Sequence, residues 1–126
     1  MTVVLDASAL LAYLLQEPGD EVVDGLLGDA RMASVNWAEV VLKSLSAGVD
    51  VEGMREELQS LGMGVEPFLA VDGERAGQLW PLTRQQGLSL GDRACLSLAL
   101  RLDLKVVTCD RAWAQLPLEL EVQILR

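Results

Sequence analysis

The chain has 126 residues, 51% of them hydrophobic, enough for one compact domain with a real core and too apolar for a disordered segment. Ten Lys and Arg against nineteen Asp and Glu leave a net charge of −9, which excludes a protein that binds nucleic acid through its bulk charge and favours a basic protein partner. There is no histidine, so Ser-His-Asp triads, Cys-His pairs and histidine zinc sites are excluded as well.

Short β-branched runs alternate with longer helical segments, the pattern of a single α/β domain over residues 1–126 with a mostly parallel sheet. Val3-Val4-Leu5 reads as a buried strand and Ser8 to Gln16 as the helix after it. Pro18-Gly19 interrupts, and Asp20 to Leu27 forms a second helix closed by Gly28. Met32 to Val35 is a short strand. From Asn36 to Gly48, Trp37, Val40, Val41 and Leu45 share one helical face. Val51 to Leu61 is amphipathic, and Gly62 to Glu66 leads through a strand to Pro67. Asp72 to Gln86 is helical with a break at Pro81. Leu90 to Leu102 is a strongly apolar helix, Lys105 to Thr108 a strand, Asp110 the start of a helical turn, and Glu121 to Leu125 a last strand.

No apolar run approaches the roughly 18 to 20 residues of a membrane span. The opening Met1-Thr2-Val3-Val4-Leu5-Asp6 lacks the basic region of a signal peptide, so a cytoplasmic protein with no membrane association is expected. Cys95 and Cys109 lie in apolar surroundings and read as two reduced core thiols.

In open parallel sheets, sites form beyond the carboxyl ends of the strands. Asp6 directly follows the first strand, and Asp110 closely follows Val106-Val107-Thr108-Cys109. Asp92 lies at the start of the Leu90 helix, and Glu39 in the first turn of the helix from Asn36. Singly, each acid has an ordinary use. Asp6, Asp92 and Asp110 make good N-caps, and Glu39 can pair with Lys43 at i, i+4. Together they are a cluster of like charges that needs a proton or a cation at neutral pH. Hard oxygen ligands select Mg²⁺ or Mn²⁺ over zinc, and such ions activate water and stabilise a leaving oxygen without histidine.

Four segments carry a family resemblance: Val4-Leu5-Asp6-Ala7-Ser8-Ala9-Leu10-Leu11, Val35-Asn36-Trp37-Ala38-Glu39-Val40, Leu88-Ser89-Leu90-Gly91-Asp92-Arg93-Ala94-Cys95-Leu96, and Val107-Thr108-Cys109-Asp110. In this order and spacing the chain resembles the PIN-domain ribonucleases, and specifically the VapC-type toxins of bacterial toxin–antitoxin pairs. The resemblance implies a three-layer α/β/α sandwich around a central parallel sheet. It implies Asp6, Glu39, Asp92 and Asp110 as the catalytic acids and ligands of Mg²⁺ or Mn²⁺, with Ser8, Asn36 and Thr108 in supporting hydrogen bonds. It also implies endonucleolytic cleavage of RNA, a homodimer, and a cognate antitoxin protein whose C-terminal segment enters the groove.

Arg93 and Arg111 each follow one of those acids and are candidate phosphate contacts, or else solvated or paired charges. With the four acids neutralised, ten basic residues still face fifteen acidic ones, so RNA binding should be weak without metal and sensitive to salt. Trp37, Trp80 and Trp113 read as core or interface residues before base-stacking ones, and Asp72 as an N-cap outside the site. The run Leu10 to Leu15 exceeds what one helix face must bury, as a dimer or antitoxin contact would require. Two other classes compete. A phosphoryl-transfer domain also places aspartates at strand ends, but a haloacid-dehalogenase-like phosphatase needs Asp where Ser8 stands, and a receiver needs an acidic pair where only Asp6 stands. The other is a non-catalytic PIN-like binding module.

Overall fold

A computed structural model describes residues 1–126. Five strands form one sheet: β1 (Val3–Leu5), β2 (Ala30–Ala33), β3 (Gly64–Glu66), β4 (Lys105–Thr108) and β5 (Val122–Ile124). Their order is β3-β2-β1-β4-β5 and every pairing is parallel. Seven helices connect them: α1 (Ala7–Leu14), α2 (Asp20–Leu26), α3 (Ser34–Ser46), α4 (Met54–Ser60), α5 (Ala70–Gln78), α6 (Trp80–Thr83) and α7 (Leu90–Leu102). The order differs from the 2-1-3-4-5 arrangement of receivers, which sets that reading aside.

Period-two alternation divides the core between the two faces of the sheet. Val3, Leu5 and Val107 pack with α1, α2 and α4, while Val4 and Val106 face α7 and Trp113. Helix α3 packs on both α1 and α7. The result is the expected three-layer α/β/α sandwich. The central strands β1 and β4 are buried on both faces, which is why they read as continuous apolar runs, while the edge strands β3 and β5 are half-buried.

The chain moves outward from β1 through β2 to β3, then returns to place β4 on the other side of β1. Binding crevices of open α/β sheets lie at such a reversal, beyond the strands' carboxyl ends. Asp6 and the Thr108–Asp110 segment occupy that place.

Several elements differ from expectation for local reasons. Strand β2 begins at Ala30, two residues early, because buried Ala30 and Ala33 carry little strand propensity of their own. Helix α3 then starts at Ser34, so Val35 is helical and Glu39 lies in the second turn. Helix α4 starts only at Met54, after Asp50 turns the chain by accepting the Glu52 N–H and Gly53 takes a φ of +76°. The Asp72–Gln86 segment divides into α5, α6 with Pro81 in its first turn, and a 3₁₀ turn over Arg84–Gln86. Asp72 is inside α5 and not its cap. Its buried carboxylate accepts the Leu69 N–H at 2.8 Å and meets Arg101 Nε at 2.8 Å, clamping α5 to α7.

Trp113 is buried and Trp37 half-buried, but Trp80 is 49% exposed, with the Arg84 guanidinium 5.0 Å above its ring. Of the apolar run, Leu10, Leu11 and Ala12 are buried within the domain, and Tyr13, Leu14 and Leu15 are half-buried against the same core. Both cysteines are free; Cys95 is buried, as expected, but Cys109 only partly. No helix is long and apolar enough to cross a membrane.

Candidate active site

Asp6 leaves β1 in an extended conformation, and its main-chain N–H continues the ladder to Val107 O at 3.1 Å. Its carboxylate caps α1: Oδ1 accepts the Ala9 N–H at 2.9 Å and the Ser8 hydroxyl at 2.7 Å. From β4, the Thr108 hydroxyl donates to Oδ2 at 2.6 Å. Thr108 Oγ1 also accepts the Asp110 N–H at 3.0 Å, and Ser8 Oγ accepts the Cys109 N–H at 2.9 Å. Three donors therefore lock one carboxylate between the ends of two adjacent strands.

These hydrogen bonds favour the charged form, yet burial outweighs them. Asp6 is 5% exposed, and desolvation, with a smaller contribution from Asp92, lifts its pKa from 3.8 to about 6. The group is poised to change charge slightly below neutrality.

A second network joins α3 to α7. Asn36 is buried, and its Nδ2 donates to Glu39 Oε1 at 2.8 Å and to Gly91 O at 2.9 Å. Asn36, and not Lys43, is thus the group that orients the Glu39 carboxylate. Asn36 Oδ1 is buried with no partner. Asp92 is the third residue of α7: its Oδ2 accepts the Ser89 N–H at 3.0 Å while its own N–H donates to Ser89 Oγ at 3.1 Å. The cap itself is Ser89, so Asp92 is free of the capping position proposed for it.

Cys95 ties the two networks together. Its buried thiol is pushed well above its ordinary value by desolvation first, and then by the nearby charges of Asp6, Asp92 and Glu39. Three of the four predicted acids therefore lie within electrostatic reach of one buried thiol. Asp110 stands apart at the rim. Its Oδ1 caps the 3₁₀ turn Arg111–Gln115 by accepting the Ala112 N–H at 3.0 Å, and only its main chain reaches the Asp6 network.

Arg93 is half-buried beside Asp92, with a buried Nε that has no hydrogen-bond partner. Arg111 is exposed, and its Nε donates to Arg126 O at 2.9 Å.

Two further residues belong to the site. A Cβ at Gly91 would lie 2.9 Å from both Glu39 carboxylate oxygens, so this glycine is what allows Glu39 to sit against the first turn of α7. A glycine inside a helix costs about 1 kcal/mol relative to alanine, and that cost marks the position in the sequence. Cys95, read as an ordinary core thiol, is buried within electrostatic reach of the acids; nothing in its local sequence indicates that.

The donors that face the crevice are carboxylates and hydroxyls, a hard oxygen set that suits Mg²⁺ or Mn²⁺. The Cys95 thiol is held protonated and offers no soft ligand. No three acids stand close enough to grip one ion together. Such spacing suits an ion that takes one or two carboxylates directly and keeps several waters, as Mg²⁺ does.

Among solved structures, a chain of a toxin–antitoxin complex from Klebsiella pneumoniae superposes with a TM-score of 0.72 at 16% identity, covering 91% of this chain and 92% of that one. A chain of VapBC-1 from nontypeable Haemophilus influenzae gives a TM-score of 0.70 at 21% identity over 99% of this chain and 98% of that one. For DNA-bound VapBC from Salmonella typhimurium the values are 0.67 and 16%, over 100% and 99%. At these identities the likeness is one of fold. No curated protein has a significantly similar sequence. The PIN domain family model matches residues 3–118, and the chain belongs to the PIN domain family.

Proposed function

We propose that the protein is a metal-dependent endoribonuclease, the toxin of a toxin–antitoxin pair, that hydrolyses RNA phosphodiesters at the β1/β4 switch point. The observation that carries this reading is the buried Asp6 carboxylate, held by Ser8, Ala9 and Thr108, with the charges of Glu39 and Asp92 around the same point. Stability alone does not favour three acids without a basic partner near one point, because each ionised neighbour raises the cost of the next.

Asp6, Glu39, Asp92 and Asp110 would hold Mg²⁺ or Mn²⁺, directly or through water. A bound divalent ion supplies Lewis acidity toward the attacking water and the leaving oxygen. Ser8 and Thr108 keep the Asp6 oxygens in fixed directions, and Asn36 does the same for Glu39. Asp110 is exposed at the rim, and its Oδ2 is not engaged in the cap of the 3₁₀ turn, so that oxygen is open to an ion or its water. Arg93 adjoins Asp92 in the first turn of α7 and is the basic side chain nearest to it in sequence, a candidate for a phosphate contact through the terminal nitrogens of its guanidinium.

The partner assigned by this reading is a cognate antitoxin. A groove of about 470 Å³ runs between α1, α2 and α4, with Tyr13, Leu14 and Leu58 among its apolar walls and Asp20, Asp24 and Glu57 along its rims. An amphipathic segment with basic flanks complements that surface and the net charge of −9. The exposed Leu42, Leu45, Trp80 and Leu90 are available for a homodimer contact. The soluble α/β architecture and net acidity suit a cytoplasmic enzyme.

The test is cleavage of total cellular RNA by the purified protein with Mg²⁺ or Mn²⁺ and with EDTA. Metal-dependent fragments are expected. Intact RNA under every condition, with the fold verified, would leave the non-catalytic binding module in its place.

A further inference from the structure

Charge is divided unevenly along the chain. From Pro67 to Leu102 four Arg stand against three Asp and Glu, a net of +1. The rest of the chain holds six basic residues against sixteen acidic ones, a net of −10. A polyanion meets less repulsion over the first stretch, which comprises α5, α6 and α7, than over the remainder. Helix α7 also covers the face of the sheet opposite the acidic groove of α1, α2 and α4.

Asp72, early in α5, meets Arg101, late in α7, so the two helices run antiparallel. The end of α5 therefore lies toward the start of α7, where Asp92 stands. Leu79 and Leu88, on either side of α6, are buried in the cluster that holds Cys95. Thr83 fixes α6 from beneath: it is buried, and its hydroxyl donates to Leu79 O at 2.9 Å. Above this anchor Trp80 is 49% exposed, and the Arg84 guanidinium lies 5.0 Å from its ring centroid. Arg84 is exposed and forms no ion pair, unlike Arg101, whose Nε is held by Asp72. Only eight residues separate Arg84 from Asp92, a span of at most roughly 28 Å if fully extended.

We propose that Trp80 and Arg84 form a subsite for the RNA strand outside the acidic crevice: an unpaired base stacks on the exposed Trp80 ring, and the Arg84 guanidinium meets a neighbouring phosphate. A ring for bases beside a cation for the backbone is the combination that takes single strands of any sequence. This rests on the ribonuclease reading above and adds that the substrate is single-stranded beside the crevice, since a paired base keeps its faces within its own stack. A second copy of the chain seated on Trp80 would have to desolvate the Arg84 charge, whereas an RNA strand uses it.

The experiment measures binding of three short RNAs of one length at several salt concentrations, in EDTA so that the strands stay intact. They are a single strand, an abasic single strand with the same phosphates, and a duplex. Trp80→Ala should weaken binding of the single strand by about tenfold, leaving the abasic strand, the duplex and the salt slope unchanged. Trp80→Phe, which keeps a ring, should lose less. Arg84→Ala should weaken both single strands alike, by about threefold, and flatten the log–log salt dependence by about 0.7. In cleavage with Mn²⁺, Trp80→Ala and Arg84→Ala should raise KM with little change in kcat. Equal losses on the base-bearing and abasic strands in Trp80→Ala, or no loss on either, would overturn the subsite. Conversion of Trp80→Ala from dimer to monomer in sedimentation, with losses on all three RNAs, would give Trp80 to the homodimer contact instead. In both cases wild-type cleavage leaves the ribonuclease reading standing. A wild type that binds through Trp80 without cutting would keep the subsite and remove the ribonuclease, and one that neither binds nor cuts would remove both.

Discussion

The Thr108 hydroxyl donates to Asp6 Oδ2 at 2.6 Å, joining the ends of β4 and β1 through one buried carboxylate. Because the bond favours the charged form, Thr108→Val should push the Asp6 pKa above its value of about 6. The acid limb of metal-dependent cleavage should move in the same direction, to higher pH. A pH profile superimposable on wild type would contradict the role given to this pair.

Asp6 also makes stability depend on pH. Its folded-state pKa lies above the ordinary aspartate value of 3.8, so the folded state binds the proton more tightly than the unfolded chain does. The contribution is fully present below pH 3.8 and is lost as pH rises through about 6. At neutral pH the ionised carboxylate thus costs on the order of 3 kcal/mol. Asp6→Asn, which carries no charge, should exceed the wild type in urea stability at about pH 8 without metal, with the gap shrinking toward about pH 4. A gap independent of pH would show that Asp6 is not the strained charge.

Gly91→Ala separates stability from activity. Alanine favours the helix by about 1 kcal/mol, but its Cβ would press on the Glu39 carboxylate. Cleavage should fall at least about tenfold, a cost of ~1.4 kcal/mol in the transition state, while the melting temperature changes little. Full activity would mean that the position of Glu39 is immaterial.

The Asp72–Arg101 clamp should behave in the opposite way. Arg101→Met leaves a carboxylate that is 2% exposed without its counter-charge, and should destabilise the protein by roughly 3 kcal/mol. Adding Asp72→Asn should recover part of that loss. Cleavage by the folded fraction should stay at the wild-type level, because neither residue adjoins the crevice; urea titration and initial rates on the same samples check both halves.

The parallel α/β sheet was readable because buried parallel strands appear as short apolar runs, and β1, β4 and α7 stood where their patterns put them; the three layers came from the family resemblance. The gathering of Asp6, Glu39 and Asp92 was likewise foreseeable, since each follows or opens an element at one edge of the sheet. The boundary of α3 was not. Ala30-Arg31 carries weak strand propensity, so the strand appeared two residues late and Glu39 one helical turn early. Nor could local pattern reveal that Asp72 finds Arg101, or that Cys95 comes within electrostatic reach of the acids, because both depend on packing between distant segments. Arg111 was legible as a cation beside an acid, but its tie to Arg126 depends on β5 lying next to β4.

The most direct test of the account is RNA cleavage by wild type and Asp6→Asn, side by side, with Mn²⁺ and verified folding of both. The account predicts fragments from the wild type, and none from the variant even though it is the more stable protein at neutral pH. Equal cleavage by the two proteins would contradict the assignment of Asp6 as the centre of the site.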